Sequence, residues 1–198
     1  MKQAIRDRFD LNIGRVKNLV GIYRNSLGGT GSGRRSHNKS DVLRAATVLL
    51  HASVEDVLRS LARWKLPSAD ASVLEQFPLV GNGQALKFHL GALSAHRGKT
   101  VDDLIHSSVE AYLERSNYNN TNEVAVFLSQ LGLNVGAVKS TFQPLEELMS
   151  RRHQIVHRAD RDETGGSGNH RVRSLGTAKV GEWIANVEAF VAAVLNQV

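Results

Sequence analysis

The stretch Pro144–His157, which reads PLEELMSRRHQIVH, determines the fold class and points to a site. Its apolar residues recur every three or four positions, as on one face of an α-helix: Leu145, Leu148, Met149, Ile155 and Val156. At about 100° per residue, Arg152 falls near the centre of this apolar stripe. A guanidinium keeps its charge, so burying it without a partner is costly. The pattern predicts that Arg152 is ion-paired, or that the stripe faces a groove or another subunit.

His157 follows Arg152 by five residues. Its imidazole can accept and donate protons near neutral pH, and a permanent cation beside such a base suits chemistry on a phosphodiester. On an ideal helix the two side chains lie about 140° apart, so they share a face only if the helix frays or bends near its end. The alternative is a salt-bridged structural arginine and an ordinary surface histidine.

Helical periodicity also runs through most of the remaining chain. Apart from the motif helix that begins near Pro144, the chain is predicted to form six helices. They span Lys2–Leu27, Asp41–Lys65 with Ser40 as N-cap, Gln84–Ala95, Val101–Arg115, Thr121 or Asn122 to Leu131, and a last helix from Thr177. A further short helix is expected around Ser72–Gln76. No strand and no internal repeat is predicted. The expected fold is all-α, an antiparallel helical bundle with a long N-terminal helix. We expect one domain over residues 1–198: an N-terminal helix (1–27), a flexible basic loop (28–39) and a core bundle (40–198).

Composition narrows the class of protein. With 198 residues, 41% of them hydrophobic, the chain can bury a core. A net charge of +6 favours polyanionic partners such as nucleic acid. The absence of cysteine excludes disulfides, thiolate nucleophiles and cysteine zinc sites. No apolar run has the length of a membrane span, and the first residues lack the apolar core of a signal peptide. We therefore expect a cytoplasmic protein that has no membrane partner.

The motif Arg152-His153-Gln154-Ile155-Val156-His157 resembles the Arg-x(4–6)-His signature of HEPN domains, whose usual form is Arg-Asn-x-x-x-His. The second predicted helix, with Arg44 and the acidic Glu55, also looks like an early HEPN helix. The likeness is nearest to the group called RiboL-PSP-HEPN and covers roughly residues 38–198. It implies a HEPN-like bundle in which two motif helices meet across a homodimer and form one composite site.

The resemblance implies metal-independent cleavage of RNA. His157 would act on the 2′-hydroxyl or on the leaving oxygen, and Arg152 would bind the scissile phosphate. The products would carry 2′,3′-cyclic phosphate and 5′-hydroxyl ends. His153 stands where the family usually has asparagine, and it can still donate a hydrogen bond. Such proteins often act as toxins or as antiphage or stress effectors, restrained by an antitoxin or another regulatory partner.

Other charged residues are candidates for supporting roles. Glu55, one turn after His51, is a candidate to pair with Arg152 or to orient His157; the alternative is an ordinary surface pair on a helix. Basic residues around the motif and in the glycine-rich loop are candidate RNA contacts: Arg151, Arg158, Arg161, Arg34 and Arg35.

Two further alternatives stay open at the level of the sequence. His153 and His157 are four residues apart and could both face a metal ion, but no third ligand or HExxH motif accompanies them, so we predict no metal and no cofactor. The same fold could also serve as a non-catalytic HEPN module that binds RNA, a nucleotide or a partner protein. It could equally be a structural dimerisation domain with Arg152 in an interface salt bridge to Glu55.

Overall fold

The computed structural model describes residues 1–27, 37–83, 85, 87, 89–162 and 172–198. Over these residues the chain is all-α, as predicted, and the only extended pairing is an isolated bridge between Arg161 and Val172. The α-helices are α1 (Lys2–Ile22), α2 (His37–Lys65), α3 (Ala71–Leu74), α4 (Val101–Arg115), α5 (Thr121–Gln130), α6 (Phe142–Arg158) and α7 (Thr177–Leu195). A π-helical turn (Tyr23–Leu27) extends α1, and short 3-10 helices span Leu66–Ser68, Leu90–His96 and Val135–Thr141. None of the described helices has the length and apolar character needed to cross a membrane.

Helices α1, α2, α6 and α7 pack around a common core with antiparallel neighbours. Polar contacts give the directions. The first half of α1 meets the second half of α2 through Arg8 and Asp56, and the start of α2 meets the end of α6 through Arg44 and Asp160. Along α1, Lys2 contacts Val198 just after α7 and Lys17 contacts Glu188, so the two helices run in opposite directions. Along α7, Lys179 contacts Glu147 and Asn186 contacts Thr141 at the start of α6, which again gives opposite directions. The predicted antiparallel bundle is therefore the observed arrangement of these four helices.

The start of α2 differs from the prediction. The helix begins at His37, so residues 37–39 belong to it and not to the preceding loop, of which 28–36 lie outside the described residues. Ser40 is therefore inside the helix and is not its N-cap. Its hydroxyl accepts a hydrogen bond from Nη1 of Arg44 at 2.6 Å, one turn further on. The serine stabilises an arginine rather than a helix end.

The α-helix predicted over residues 84–95 is wrong as to its type and its extent. The structure has a 3-10 helix over Leu90–His96, preceded by irregular backbone at 85, 87 and 89; residues 84, 86 and 88 lie outside the description. Leu90 is 83% exposed, and no residue of this 3-10 helix is buried. A short helix gains most of its stability from burying an apolar face, and this segment buries none.

Helix α6 follows its predicted pattern closely. It begins at Phe142, so Pro144 lies in its first turn, where the missing N–H costs nothing. Leu145, Leu148 and Met149 are buried in the core. The stripe then leaves the core, because Ile155 is only half-buried and Val156 is 48% exposed. The C-terminal half of α6 thus presents part of its apolar stripe at the surface.

Candidate functional site

Arg152 lies where the apolar stripe of α6 emerges from the core. The side chain is half-buried, and its Nε is buried without a hydrogen-bond partner. Within the described part of the chain, no carboxylate forms an ion pair with it. Of the two predicted alternatives, an ion pair with another described residue is therefore not found. The guanidinium is held at the edge of the core, and no carboxylate of the described ranges pairs with it.

His51 of α2 is the ionisable neighbour of Arg152. It is 1% exposed, and its Nε2 lies 3.0 Å from the carbonyl oxygen of Tyr118, so this nitrogen carries the proton and donates it. Its Nδ1 lies 3.9 Å from Oε1 of Glu55. Burial lowers the pKa of His51 and Arg152 lowers it further, while Glu55 and the Tyr118 carbonyl oppose the change. His51 is therefore a neutral buried group at neutral pH.

Glu55 does not take the role predicted for it within one chain. It lies beside His51, and none of its described contacts is an ion pair or a hydrogen bond with Arg152 or His157. The reason is geometric: α2 and α6 cross with Arg44 near Asp160 and His51 near Arg152, which leaves Glu55 one turn away from the arginine. The side chain of Glu55 is 19% exposed.

A buried ion cluster, which we call the Asp160 cluster, comprises Asp160, Arg44 and Arg151. The Asp160 side chain is fully buried and accepts hydrogen bonds from Nε of Arg44 at 2.7 Å and Nη2 of Arg151 at 2.9 Å. Nε of Arg151 lies 2.9 Å from the other carboxylate oxygen. Both arginines also donate to the carbonyl oxygen of Arg173, at 2.7 and 3.1 Å. Two cations thus share one carboxylate and one backbone oxygen.

The Asp160 cluster also fixes how α6 ends. Ala159 and Asp160 have φ of 50° and 56°, both in the left-handed region. The N–H of Asp160 donates to the carbonyl oxygen of Gln154 at 3.0 Å, a bond that closes the helix. The carbonyl oxygen of Asp160 accepts from the N–H of Arg173 at 2.9 Å, which ties the segment before α7 to the end of α6. The cluster therefore holds the last turn of α6, including His157, in a defined position.

Sequence reasoning missed this cluster. It did not single out Asp160, and it gave Arg151 to RNA binding. The available signal was Arg44, a charged residue between the buried positions Leu43 and Ala46, since a charge inside an apolar stripe needs a partner. Nothing in the spacing of the chain identifies that partner, which lies 116 residues away.

His157 lies on the exposed side of the last turn of α6. Its ring faces that of His153, with ring centroids 4.6 Å apart, and both residues are exposed. The helix stays regular through Arg158, so it does not fray in the way that would bring His157 round to Arg152. The ideal separation of about 140° therefore applies, and a single chain does not bring the two motif residues onto one face.

The predicted RNA-contacting arginines divide into three groups. Arg151 belongs to the Asp160 cluster, where its side chain is only 13% exposed, so its charge is already balanced. Arg158 and Arg161 are exposed at the end of α6. Arg34 and Arg35 lie outside the described residues.

A groove of about 690 Å³ lies between α6 and the segment that leads into α7. Its walls include Arg173 and Lys179, together with Gln154, which lies one turn before His157. The Nη1 of Arg173 donates to Oε1 of Gln154 at 2.6 Å, whereas Lys179 is paired with Glu147. The groove contains a cation, Arg173, whose described side-chain partner is neutral. Sequence reasoning did not single out Arg173 for this position.

Among the residues that the structure describes, no group of three or more histidines, aspartates or glutamates is arranged to hold a metal ion. The candidate site is therefore a surface at the end of α6, with Arg152 on one side, His153 and His157 on the other, and exposed arginines around them. Comparison with protein-family models, curated proteins and solved structures finds no match to this chain.

Proposed function

We propose that this chain is a metal-independent endoribonuclease of the HEPN type, with Arg152 and His157 in its active site. The six-residue motif is the source of this proposal, and the surroundings of Arg152 support it. In the cell such an enzyme would need restraint by a regulatory partner or antitoxin, as expected of a toxin or of an antiphage or stress effector.

The observation that carries the proposal is the contrast between two adjacent arginines. Arg151 meets a buried carboxylate, as a structural arginine should. Arg152 has a buried Nε with no hydrogen-bond partner and no ion pair to any carboxylate in the described ranges. A partly buried cation without a counter-ion lowers the stability of the fold. Proteins keep such a group mainly where its charge acts on a ligand. A scissile phosphate is such a ligand.

The reaction uses groups that the chain supplies. His157 takes the proton of the ribose 2′-hydroxyl, whose oxygen forms a bond to phosphorus as the bond from phosphorus to the 5′-oxygen breaks. The leaving 5′-oxygen receives a proton from a histidine or from water, so the products are a 2′,3′-cyclic phosphate and a 5′-hydroxyl. Arg152 stabilises the negative charge that develops on the phosphate oxygens. No metal is needed for any of these steps.

The composite site requires a second copy of the chain. Within one chain Arg152 and His157 point about 140° apart on a regular helix. Two copies of α6 that meet through the half-buried Ile155 and the exposed Val156 would bring His157 of one copy towards Arg152 of the other. The end of the α6 stripe supports such a contact, because Val156 is exposed and no described residue of the chain covers it.

Charge supports RNA as the substrate class. The segment from Arg151 to Arg161 contains four arginines and one acidic residue, Asp160, which is buried in its cluster. The segment therefore carries a net positive charge, and Arg158 and Arg161 lie exposed at its end. Binding to a phosphate backbone should consequently weaken as salt is raised.

A non-catalytic RNA-binding module is the second candidate. The observation in its favour is that one chain leaves Arg152 and His157 apart, with the ring of His157 beside that of His153 instead. This candidate predicts salt-dependent RNA binding without products.

The test pairs two neighbouring substitutions, Arg152→Met and Arg151→Met. Methionine keeps much of the aliphatic volume and removes the charge. Arg152→Met should keep or raise the free energy of unfolding while reducing cleavage of a labelled mixed RNA pool in EDTA by on the order of 10²–10⁴-fold. Arg151→Met should lower the free energy of unfolding, because it removes a partner of buried Asp160.

His157→Ala completes the test, with the exposed His106→Ala as its control. His157→Ala should abolish cleavage and leave the circular dichroism spectrum unchanged, whereas His106→Ala should cleave like the parent. Absence of cleavage by the parent, with RNA still bound, would favour the binding module. Unfolding of Arg152→Met would instead support the structural reading of this arginine.

A further inference from the structure

The exposed imidazoles of His153 and His157 form a close pair at the end of α6. They are four residues apart on a regular helix, which places them on one face. Their ring centroids are 4.6 Å apart with an angle of 44° between the ring planes. Both side chains are exposed, so an ion in solution has access to them.

This separation suits chelation of one metal ion. Zinc–nitrogen bonds are about 2.0–2.1 Å long, so two imidazoles on one tetrahedral ion have their centroids roughly 5 Å apart. The observed separation is close to this value, and small rotations of two exposed side chains cover the difference. The two histidines would fill two positions of the ion and leave the others to water or to a phosphate oxygen.

We propose that His153 and His157 together bind one borderline divalent ion, such as Zn²⁺, Ni²⁺ or Cu²⁺, and that this ion switches the site off. The second half rests on the proposed ribonuclease function. A neutral imidazole has a single basic nitrogen, because the other nitrogen carries hydrogen. Once that nitrogen is bound to metal, His157 has no lone pair for the proton of a 2′-hydroxyl. The ion is an inhibitor here and not a cofactor.

Ligand chemistry defines which ions qualify. Imidazole suits zinc, nickel and copper, whereas magnesium prefers oxygen ligands and retains its water. The pair depends on His153, since the asparagine that the HEPN signature usually has at this position would not supply an imidazole. Binding of the ion, and inhibition by it, therefore depend on the presence of His153 in this chain.

The first experiment measures binding without reference to catalysis. Untagged protein is titrated with Zn²⁺ in a calorimeter, beside His153→Asn, His157→Asn and the control His106→Asn, with Mg²⁺ as the control ion. We expect one Zn²⁺ per chain with a micromolar dissociation constant in the parent and in His106→Asn. Each of the other two variants should bind at least tenfold more weakly, with an unchanged circular dichroism spectrum. No binding to the parent, or binding that neither substitution weakens, would overturn the site.

The second experiment addresses inhibition. If the parent cleaves RNA in EDTA, Zn²⁺ added in excess of the chelator should stop cleavage with a midpoint equal to the calorimetric dissociation constant. Cleavage that continues when the site is saturated would overturn the inhibitory role and leave the metal site standing. If the parent does not cleave RNA at all, the proposed function and the inhibitory role both fail. The calorimetric result still decides the metal site in that case, so the two failures are distinguishable.

Discussion

Asp160 is the one carboxylate between two guanidinium groups at the end of α6, and it is completely buried. Asp160→Asn removes its charge while keeping its size, which leaves Arg151 without its described counter-ion and Arg44 with only the exposed Asp41. Removing one partner of a buried pair costs about 3–5 kcal/mol, so we expect a loss of that order in the free energy of unfolding. Urea denaturation followed by circular dichroism measures it.

Asp41 provides the matched control for this substitution. It also contacts Arg44, at 3.1 Å, but its side chain is 68% exposed. Water screens such a pair, so Asp41→Asn should change the free energy of unfolding by less than about 1 kcal/mol. Equal effects of the two substitutions would show that burial of the Asp160 cluster does not contribute to stability.

His51 should make stability depend on pH. Burial lowers its pKa from the ordinary value of 6.5, with a smaller contribution from Arg152. Below that value the unfolded chain takes up a proton that the folded chain resists, so stability falls as the pH falls from about 6.5 towards the folded pKa. The loss amounts to roughly 1.4 kcal/mol for each unit by which folding lowers the pKa. Urea denaturation between pH 8 and pH 5 measures it.

The variant His51→Gln isolates this effect. Glutamine has no titratable group, and its amide can donate to the carbonyl oxygen of Tyr118 as Nε2 of His51 does. The variant should be less stable than the parent at pH 8 and should lose less stability on acidification. The exposed His106→Gln serves as control and should keep the slope of the parent. A parent whose stability is flat over this pH range would contradict the assignment.

At the scale of elements, the end of α6 uses an unfavourable residue. Ala159 is exposed and has a φ of 50°, a conformation in which the Cβ of an L-residue meets the neighbouring backbone. Ala159→Gly should therefore raise the free energy of unfolding by about 1 kcal/mol. The same change at Ala185, exposed within α7, should lower it by about 0.5–1 kcal/mol. Thermal and urea denaturation of both variants measure the two changes in the free energy of unfolding. A loss of stability in both variants would contradict the left-handed conformation at the end of α6.

Periodicity predicts elements well where an apolar stripe meets the core. In α1 the apolar residues at helical spacing, Ile5, Phe9, Ile13 and Val16, are all buried. In α7 the same holds for Val180, Ile184 and Val187. It fails at Gln84–Ala95, where the structure has a 3-10 helix over Leu90–His96 with no buried residue. Periodicity also placed the start of α2 too late. Ser40 accepts a hydrogen bond from Arg44 inside the helix and does not cap its N-terminus. Local patterns therefore locate helices, and tertiary contacts set their ends.

At the scale of the whole molecule, the candidate site was predictable in part. The position of Arg152 on the stripe follows from the helical repeat alone. The contrast with Arg151 does not, because it depends on Asp160 and on Arg44 in another helix. Adjacent arginines in a sequence look equivalent. Only the packing of α2 against α6 distinguishes Arg151, which is paired with Asp160, from Arg152, which pairs with no carboxylate of the described residues.

Assembly is the last requirement of the proposed site, and it belongs to the molecule as a whole. If α6 meets its copy through the exposed end of its stripe, Val156→Asp places a charge in that contact and should shift a dimer to monomer. Cleavage should fall with it, because His157 and Arg152 would no longer meet. Val126→Asp is the matched control, since Val126 is 59% exposed on α5, away from this stripe. Sedimentation at several concentrations measures the masses. A parent that cleaves RNA as a monomer, or a dimer unaffected by Val156→Asp, would contradict this arrangement.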